Sequence, residues 1–517
     1  MPFPDANHKN HKWFITVTVM LSAVMAAINS SVVNVALPEM KGSLGASTSE
    51  ITWVATSYML SNVVIMPSIA FFSSWFGRCR FLLWSVLLFG AGSALCGLAR
   101  DLPFMIFART IQGLGGGALI PIAQAILRET FPPEEQGKAM SIYGMGVIMG
   151  PAIGPTLGGW LTDNFAWPWI FYINIPILVL NLVLIPIFLK DPPYLERSRG
   201  KVDFLGLGSM AVGLSCFQIM LGKGQENNWF QSPFITKLAI VAFAALVFFV
   251  WRELSTERPA VNLKVLKNLS FTTGTILSAV LGLALFGSLF LLPMFIQQVR
   301  GYSVFSSGMA LLPRSIAMFI TLPFAGRFYN TLGAKKMVGF GMVISTISFF
   351  LMSRLGPETS VNDLLLPQAL QGVAFGFIFV SLSTAALSTI PRKDMTAATG
   401  LFNLIRTVFG SVGIALSATL LERGTVAARV SMLGNLALTN DKVANWLEKT
   451  TSSLVSRGIP PADAPQKALA ILNKVVDQQA TVIGFNHVFM LITILFIFTF
   501  PLIFLFRHKR PGDQVVD

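Results

Sequence analysis

Apolar runs of about twenty residues, each bounded by charges, glycines or prolines, follow one another along nearly the whole of this chain. A bilayer's hydrocarbon core, about 30 Å thick, takes roughly 20 helical residues to cross. Backbone polar groups find no water there, and a helix bonds its own. The runs lie near 14–38, 53–73, 81–99, 103–126, 139–162, 168–189, 204–221, 236–254, 271–299, 307–328, 337–354, 364–390, 396–421 and 485–507, which predicts an all-α membrane protein of fourteen spans. Only 12% of the 517 residues are charged, against about 25% in soluble domains. The stretch after the first thirteen residues is too long for a signal-peptide core and reads as a retained first span.

The net charge of +14 does not point to nucleic acid, because the basic residues sit in short loops between apolar runs rather than in one patch. Placed with the N-terminus inside, the cytoplasmic loops collect Lys12, Arg78, Arg80, Arg128, Lys138, Lys190, Arg197, Arg199, Lys201, Arg252, Arg258, Lys264, Lys267, Lys335, Lys336, Arg392, Lys393, Arg507 and Arg510. Outer loops hold few, such as Lys41, Arg100, Lys223 and Arg300. That excess, roughly three to one, orients the protein with both termini in the cytoplasm. Cys79, Cys96 and Cys216 have neither disulfide nor metal spacing, so no cofactor or metal is expected. No acid pair, nucleophile–base pair or phosphate loop suggests an enzyme.

Two features repeat at nearly one offset. Gly77, Arg78 and Arg80 follow the second span; Gly333, Lys335 and Lys336 follow the tenth, 256 residues later. Gln112-Gly113 of the fourth span returns as Gln371-Gly372, 259 residues later. Parallel repeats of this kind build alternating-access transporters. The expected division is a six-helix bundle over 1–199, two additional helices over 200–262, and a second bundle over 263–517. The last contains an outer helical hairpin at about 422–484, broken at 458–465 by Gly458, Pro460, Pro461 and Pro465. The hairpin is a tolerated loop or a docking surface for a partner.

In the fifth span, Gly146, Gly150, Gly154 and Gly158, with Gly159 beside them, form a stripe on which a neighbouring backbone can approach closely. Pro151 and Pro155 each remove a hydrogen bond one turn back. Such a helix suits a seam between moving halves. No Asp or Glu lies deep in a span, whereas Arg109, Arg314 and Arg406 do. An intramembrane arginine costs at least about 2.5–3.5 kcal/mol, so it faces a wet cavity or a partner. Either the three make a positive substrate cavity, with Gln371, Met149 and Phe290 as further lining candidates, or they brace helices through carbonyls. Asn29, about 13 Å of helix rise below Pro38, reaches a depth similar to Arg109's and is a candidate hydrogen-bond partner for it.

The Gly-Pro-rich fifth span resembles the antiporter motif of major facilitator exporters, and Arg109-Thr-Ile-Gln-Gly113 resembles that superfamily's fourth-span motif. Asn34-Val-Ala-Leu-Pro38 is similar to the signature of fourteen-span drug:proton antiporters of EmrB/QacA type, and the long outer segment favours the EmrB side. The resemblance covers essentially the whole chain. It implies the major facilitator fold, two six-helix bundles plus two central helices, in a bacterial inner membrane. It also implies proton-coupled export of amphipathic drugs, with a periplasmic adaptor and an outer-membrane channel as partners. Export of one physiological substrate (a fatty acid, siderophore or metabolite) is the alternative, and a non-transporting receptor a third. Two departures stand out. The loop after span two carries Ala70, Ser74 and Trp75 where the family pattern has glycine, aspartate and arginine, and Asn330 stands at the aspartate position of the second copy. Asn29 occupies the place of the family's proton-carrying aspartate, and an amide neither releases nor takes up a proton. The remaining acids, Glu129, Asp163, Asp203 and Glu253, lie near span ends.

Overall fold

A computed structural model describes residues 11–191, 203–256, 259, 261–302, 304–435 and 441–506. Arg197, Arg199, Lys201, Arg258, Arg507 and Arg510 lie outside them, as do the chain termini. The structure is 88% helix, with no strand among the described residues. In chain order the long helices are α1 (His11–Ser43), α2 (Trp53–Phe76), α3 (Arg78–Gly97), α4 (Leu102–Thr130), α5 (Gln136–Asn164), α6 (Asn174–Phe188), α7 (Phe204–Lys223), α8 (Pro233–Ser255) and α9 (Leu269–Arg300). They continue as α10 (Leu312–Met352), α11 (Val361–Ser388), α12 (Met395–Asn435), α13 (Asp441–Ser456) and α14 (Ala464–Thr499).

Twelve described segments are long and apolar enough to cross a membrane. One of them contains α10, which breaks at Gly333 (φ 75°, ψ 163°), a conformation open to glycine and not to L-residues with a side chain. Both arms of α10 pack on the same turns of α11: Gly372 against Arg314 and Ala317, Gly341 against Ala374 and Ile378. The arms therefore run antiparallel and form two crossings. The glycine-rich α5 adds the fourteenth.

The internal repeat extends to element boundaries. Gly77 has the same unusual backbone as Gly333 (φ 88°, ψ 145°). The short 3-10 turns Pro133–Glu135 and Arg392–Asp394 stand 259 residues apart, and so do the starts of α4 and α11. Gly113 meets Tyr58 and Ser61 of α2, as Gly372 meets the first arm of α10. In each half, one glycine-lined helix (α4 or α11) is gripped by a hairpin (α2–α3 or the two arms of α10). α7 and α8 pack on each other, tied at their ends by Arg252 Nε to Asp203 at 3.0 Å.

With the end where α1 begins taken as proximal, the loops at Gly77, 131–135, Gly333 and 389–394 are proximal too. The hairpin of distal α12, α13 and α14 projects from the opposite, distal end. Distal helix starts are capped: the Ser47 backbone and hydroxyl donate to the Glu50 carboxylate, and the Ser360 backbone and hydroxyl donate to Asp363.

Candidate functional site

The fourth-span candidates close a buried cluster within the first half. Arg109, 1% exposed, donates from Nε to the Val54 carbonyl at 2.9 Å and from a terminal nitrogen to Gln112 Oε1 at 2.6 Å. Its guanidinium lies over the Tyr58 ring, 4.2 Å from the centroid. Gln112 Nε2 donates to Ser93 Oγ at 2.6 Å and to Asn29 Oδ1 at 3.1 Å. Asn29 and Arg109 thus belong to one network, joined through Gln112 rather than bonded directly as the depth argument suggested. Gly113 sits beside them because a Cβ there would fall 2.6 Å from the Tyr58 carbonyl.

The second half repeats the arrangement with different residues. Arg314 donates to Ser288 Oγ at 2.9 Å and to Gln371 Oε1 at 3.0 Å. Ser288 and Gln371 stand 259 residues after Asn29 and Gln112, so the same two positions face each other in both halves. Arg314 and Gln371 are buried inside one bundle, where side-chain oxygens hold the guanidinium. No Asp or Glu takes part in either cluster among the described residues. Glu129 pairs with Arg78 at 2.5 Å, Glu253 accepts from the Val261 backbone, and Asp163 is exposed.

Arg406 occupies a third environment, the seam between the halves. It donates to Asn403 Oδ1 at 2.6 Å, lies 5.1 Å over the Phe379 ring, and stands beside the Tyr143 hydroxyl. Tyr143 also donates to Asn403 Oδ1 at 3.2 Å, and Asn403 Nδ2 donates to Gln124 Oε1 at 2.6 Å. Gln124 and Tyr143 belong to α4 and α5, Phe379, Asn403 and Arg406 to α11 and α12, so this layer ties one half to the other. It lies roughly 9–16 Å along the helices from their proximal ends. Nearer that end, Gly137 and Gly326 meet backbone to backbone across the seam: a Cβ on Gly137 would lie 2.4 Å from the Gly326 carbonyl. Asn330 donates to the Glu134 carbonyl from the other half, and Gly400 packs on Met66.

The glycine stripe of α5 faces α1. Cβ atoms at Gly146, Gly150, Gly154 and Gly158 would strike Met20, the Ala27 carbonyl, Ser31 and Val32, whereas Gly159 has only Val35 at 4.0 Å. The small-residue spacing therefore serves packing within one half. The seam is met by the other face of α5, through Gly137, Tyr143 and Gly144. Pro155 reaches toward Gly308 at the distal end. The side chains of Met149 and Pro151 lie outside the described set.

At the proximal loops, Asp191 supplies the acid that the family pattern places within the loop itself. Its Oδ1 accepts from Cys79 N at 2.8 Å, at the first turn of α3, and a Cβ on Gly77 would lie 2.3 Å from its Oδ2. Arg78 is buried and paired, while Arg80 and Lys336 are exposed and Lys335 donates to the Phe504 carbonyl. Sequence reasoning missed Asp191, Gln124, Tyr143 and Asn403.

Toward the distal end a cavity of about 600 Å³ opens, a volume suited to a drug-sized molecule. Phe290 and Met294 of α9 and Ile414 and Ala418 of α12 give it apolar walls. Met59 and Gln218 close its floor, where Gln218 Nε2 donates to Ser411 Oγ at 2.6 Å. Glu226 and Glu422 stand at its mouth. No arginine or lysine is among its described lining residues, so this cavity is not the positive one that the arginines suggested. Phe290 is the sequence candidate that lines it.

Two helical bundles with repeated element boundaries, meeting at a polar seam and carrying an apolar cavity between the inserted α7 and the second bundle, have the architecture of a secondary transporter. Residues 19–414 match the model of the Major Facilitator Superfamily, and the chain belongs to that family. It is 35% identical over 404 residues to the multidrug export protein EmrB of Haemophilus influenzae, covering 78% of this chain and 79% of that one. It is 31% identical to the fatty acid resistance protein FarB of Neisseria gonorrhoeae, over 99% and 100% of the two chains. Among solved structures, the human organic anion transporter TETRAN superimposes with a TM-score of 0.60 at 14% identity over 94% of this chain and 99% of that one, a likeness of fold.

Proposed function

We propose that the chain is a secondary exporter of amphipathic drugs or toxic compounds, working by alternating access. The observation that carries this reading is the asymmetry along the seam. A polar layer and a glycine crossing close its proximal part, while distally an apolar cavity opens beside it, between α7, α9 and α12. Closure at one end of the seam is what one end state of an alternating-access carrier requires. The similarity to EmrB proteins supports drugs as cargo. Full-length similarity to FarB favours, as a second reading, one amphipathic physiological substrate.

We further infer the division into bundles over 1–199 and 263–517 with an inserted pair over 200–262, supported by the repeated element boundaries. Loop charge supports a proximal face in the cytoplasm of a bacterial inner membrane and both termini there, so that the cavity beside α7 opens outward. The distal hairpin is offered as the docking surface for a periplasmic adaptor leading to an outer-membrane channel. Protons are the coupling ion in this reading, although Asn29 leaves no carboxylate in the network that the family uses. The test is efflux from cells preloaded with an amphipathic fluorescent dye. Expression is expected to speed efflux several-fold, and collapse of the pH gradient to slow it. No dye or fatty acid flux above control cells would sink the reading.

A further inference from the structure

Arg406 and Gln124 each leave a buried donor without a protein partner among the described residues. The atoms are one terminal guanidinium nitrogen of Arg406 and Nε2 of Gln124. Arg406 is 8% exposed and Gln124 wholly buried. Both are held by the same side chain: Asn403 accepts from Arg406 with its oxygen and donates to Gln124 with its nitrogen. The two open donors thus flank a single amide at the seam between the halves. No carboxylate among the described residues is paired with Arg406, in contrast to Arg78, which has Glu129. The Phe379 ring covers one face of the guanidinium and stacks near Tyr143, centroids 5.9 Å apart. A planar, forked cation walled by aromatic rings and flanked by amide and phenol donors matches a carboxylate, which accepts two parallel bonds from a guanidinium.

We propose that Arg406, Gln124 and Tyr143 form the recognition site for the carboxylate of an amphipathic substrate, and that Asn403 is its built-in competitor. In this structure the Asn403 amide oxygen takes the place of a carboxylate oxygen, accepting from Arg406 and Tyr143 together. A substrate carboxylate would supply two charged oxygens, displace Asn403 from Arg406, and satisfy the open donors as well. The same displacement loosens the polar layer that joins α4 and α5 to α12, so head-group binding and separation of the halves share a set of bonds. Release toward the distal side lets Asn403 return and reseals the seam. Arg109 and Arg314 cannot serve in this way, since each is engaged within its own bundle. The inference rests on the export reading and names its substrate class.

Full-length protein in nanodiscs of zwitterionic lipid tests it by equilibrium binding of decanoate, decanol and decyltrimethylammonium. Decanoate is expected to bind about tenfold tighter than decanol, the worth of a charge-assisted fork over a neutral bond. Arg406→Gln brings the ratio of decanoate to decanol affinity to about one, and Asn403→Ala tightens decanoate several-fold. A preference that survives Arg406→Gln overturns the proposal, as does decyltrimethylammonium binding as tightly as decanoate. Should Arg406→Gln fail to fold, decanoate affinity that is unchanged or weaker in Asn403→Ala overturns it, and tighter binding supports it. Displacement of decanoate by equimolar inorganic phosphate would make this a general anion site and likewise remove the proposal. Decanoate binding without flux of any compound would instead count against export and leave the site intact.

Discussion

An amide at position 29 has a definite chemical consequence. Asn29 accepts from Gln112, which holds Arg109, so a carboxylate introduced there would enter an existing network of donors. Asn29→Asp is expected to add a titrating group at that point. Proteoliposomes carrying the variant should show stronger substrate-driven proton movement than the parent, read with a pH-sensitive dye; equal signals would mean that this network is not a vestige of a proton site. Arg109 carries stability as well. Arg109→Leu removes two buried hydrogen bonds, to the Val54 carbonyl and to Gln112 Oε1, each worth about 1.5–3 kcal/mol when the donor is charged. Its thermal midpoint should fall by several degrees. Arg109, Gln112, Arg314 and Gln371 were legible as candidates because a charge or a repeated Gln-Gly pair stands out within an apolar run. Gln124, Tyr143 and Asn403 were not. Each is an unremarked polar residue in a long span, and its meaning comes from partners some 260–280 positions away.

The spacing of glycines along α5 is visible in sequence, but the neighbour they admit is not. The stripe was expected at the seam and lies against α1, because close backbone approach fixes helices that move together. Sliding surfaces need contacts that can part, and the face of α5 carrying Tyr143 supplies them. Gly150 marks the tightest approach of the stripe to another backbone, with the Ala27 carbonyl 2.1 Å from where a Cβ would stand. Gly150→Val should therefore abolish transport and reduce the yield of folded protein, since overpacking costs typically 1–3 kcal/mol and sometimes more. Gly159→Ala, facing Val35 at 4.0 Å, should leave both unchanged. Comparable losses in the two variants would remove the packing argument. The acid bracing the proximal loop is a further case where elements had to be seen in space: Asp191 follows α6 yet caps α3, more than a hundred residues away in the chain.

At the scale of the whole molecule, fourteen crossings and their two-fold relation were readable because hydropathy and a fixed repeat offset are one-dimensional signals. Sidedness rests on loop charge and has a direct check. In a cysteine-free background, Lys449→Cys in α13 should react with a membrane-impermeant maleimide added to intact cells, and Lys336→Cys only after permeabilisation. The reverse pattern would invert the transport direction argued above. The inserted helices bear on how the halves part. α7 clasps the α2/α12 flank through Gln218 to Ser411 and through Lys223 to Thr52 and the Ser49 carbonyl. The opposite flank meets distally through Gly308 against Pro155 at 3.9 Å, a contact of van der Waals type. The carrier is thus a book with one edge stitched: hydrogen bonds from the inserted helix hold the α2/α12 edge, and the α5/α10 edge, held distally by van der Waals contact, parts at the lower cost.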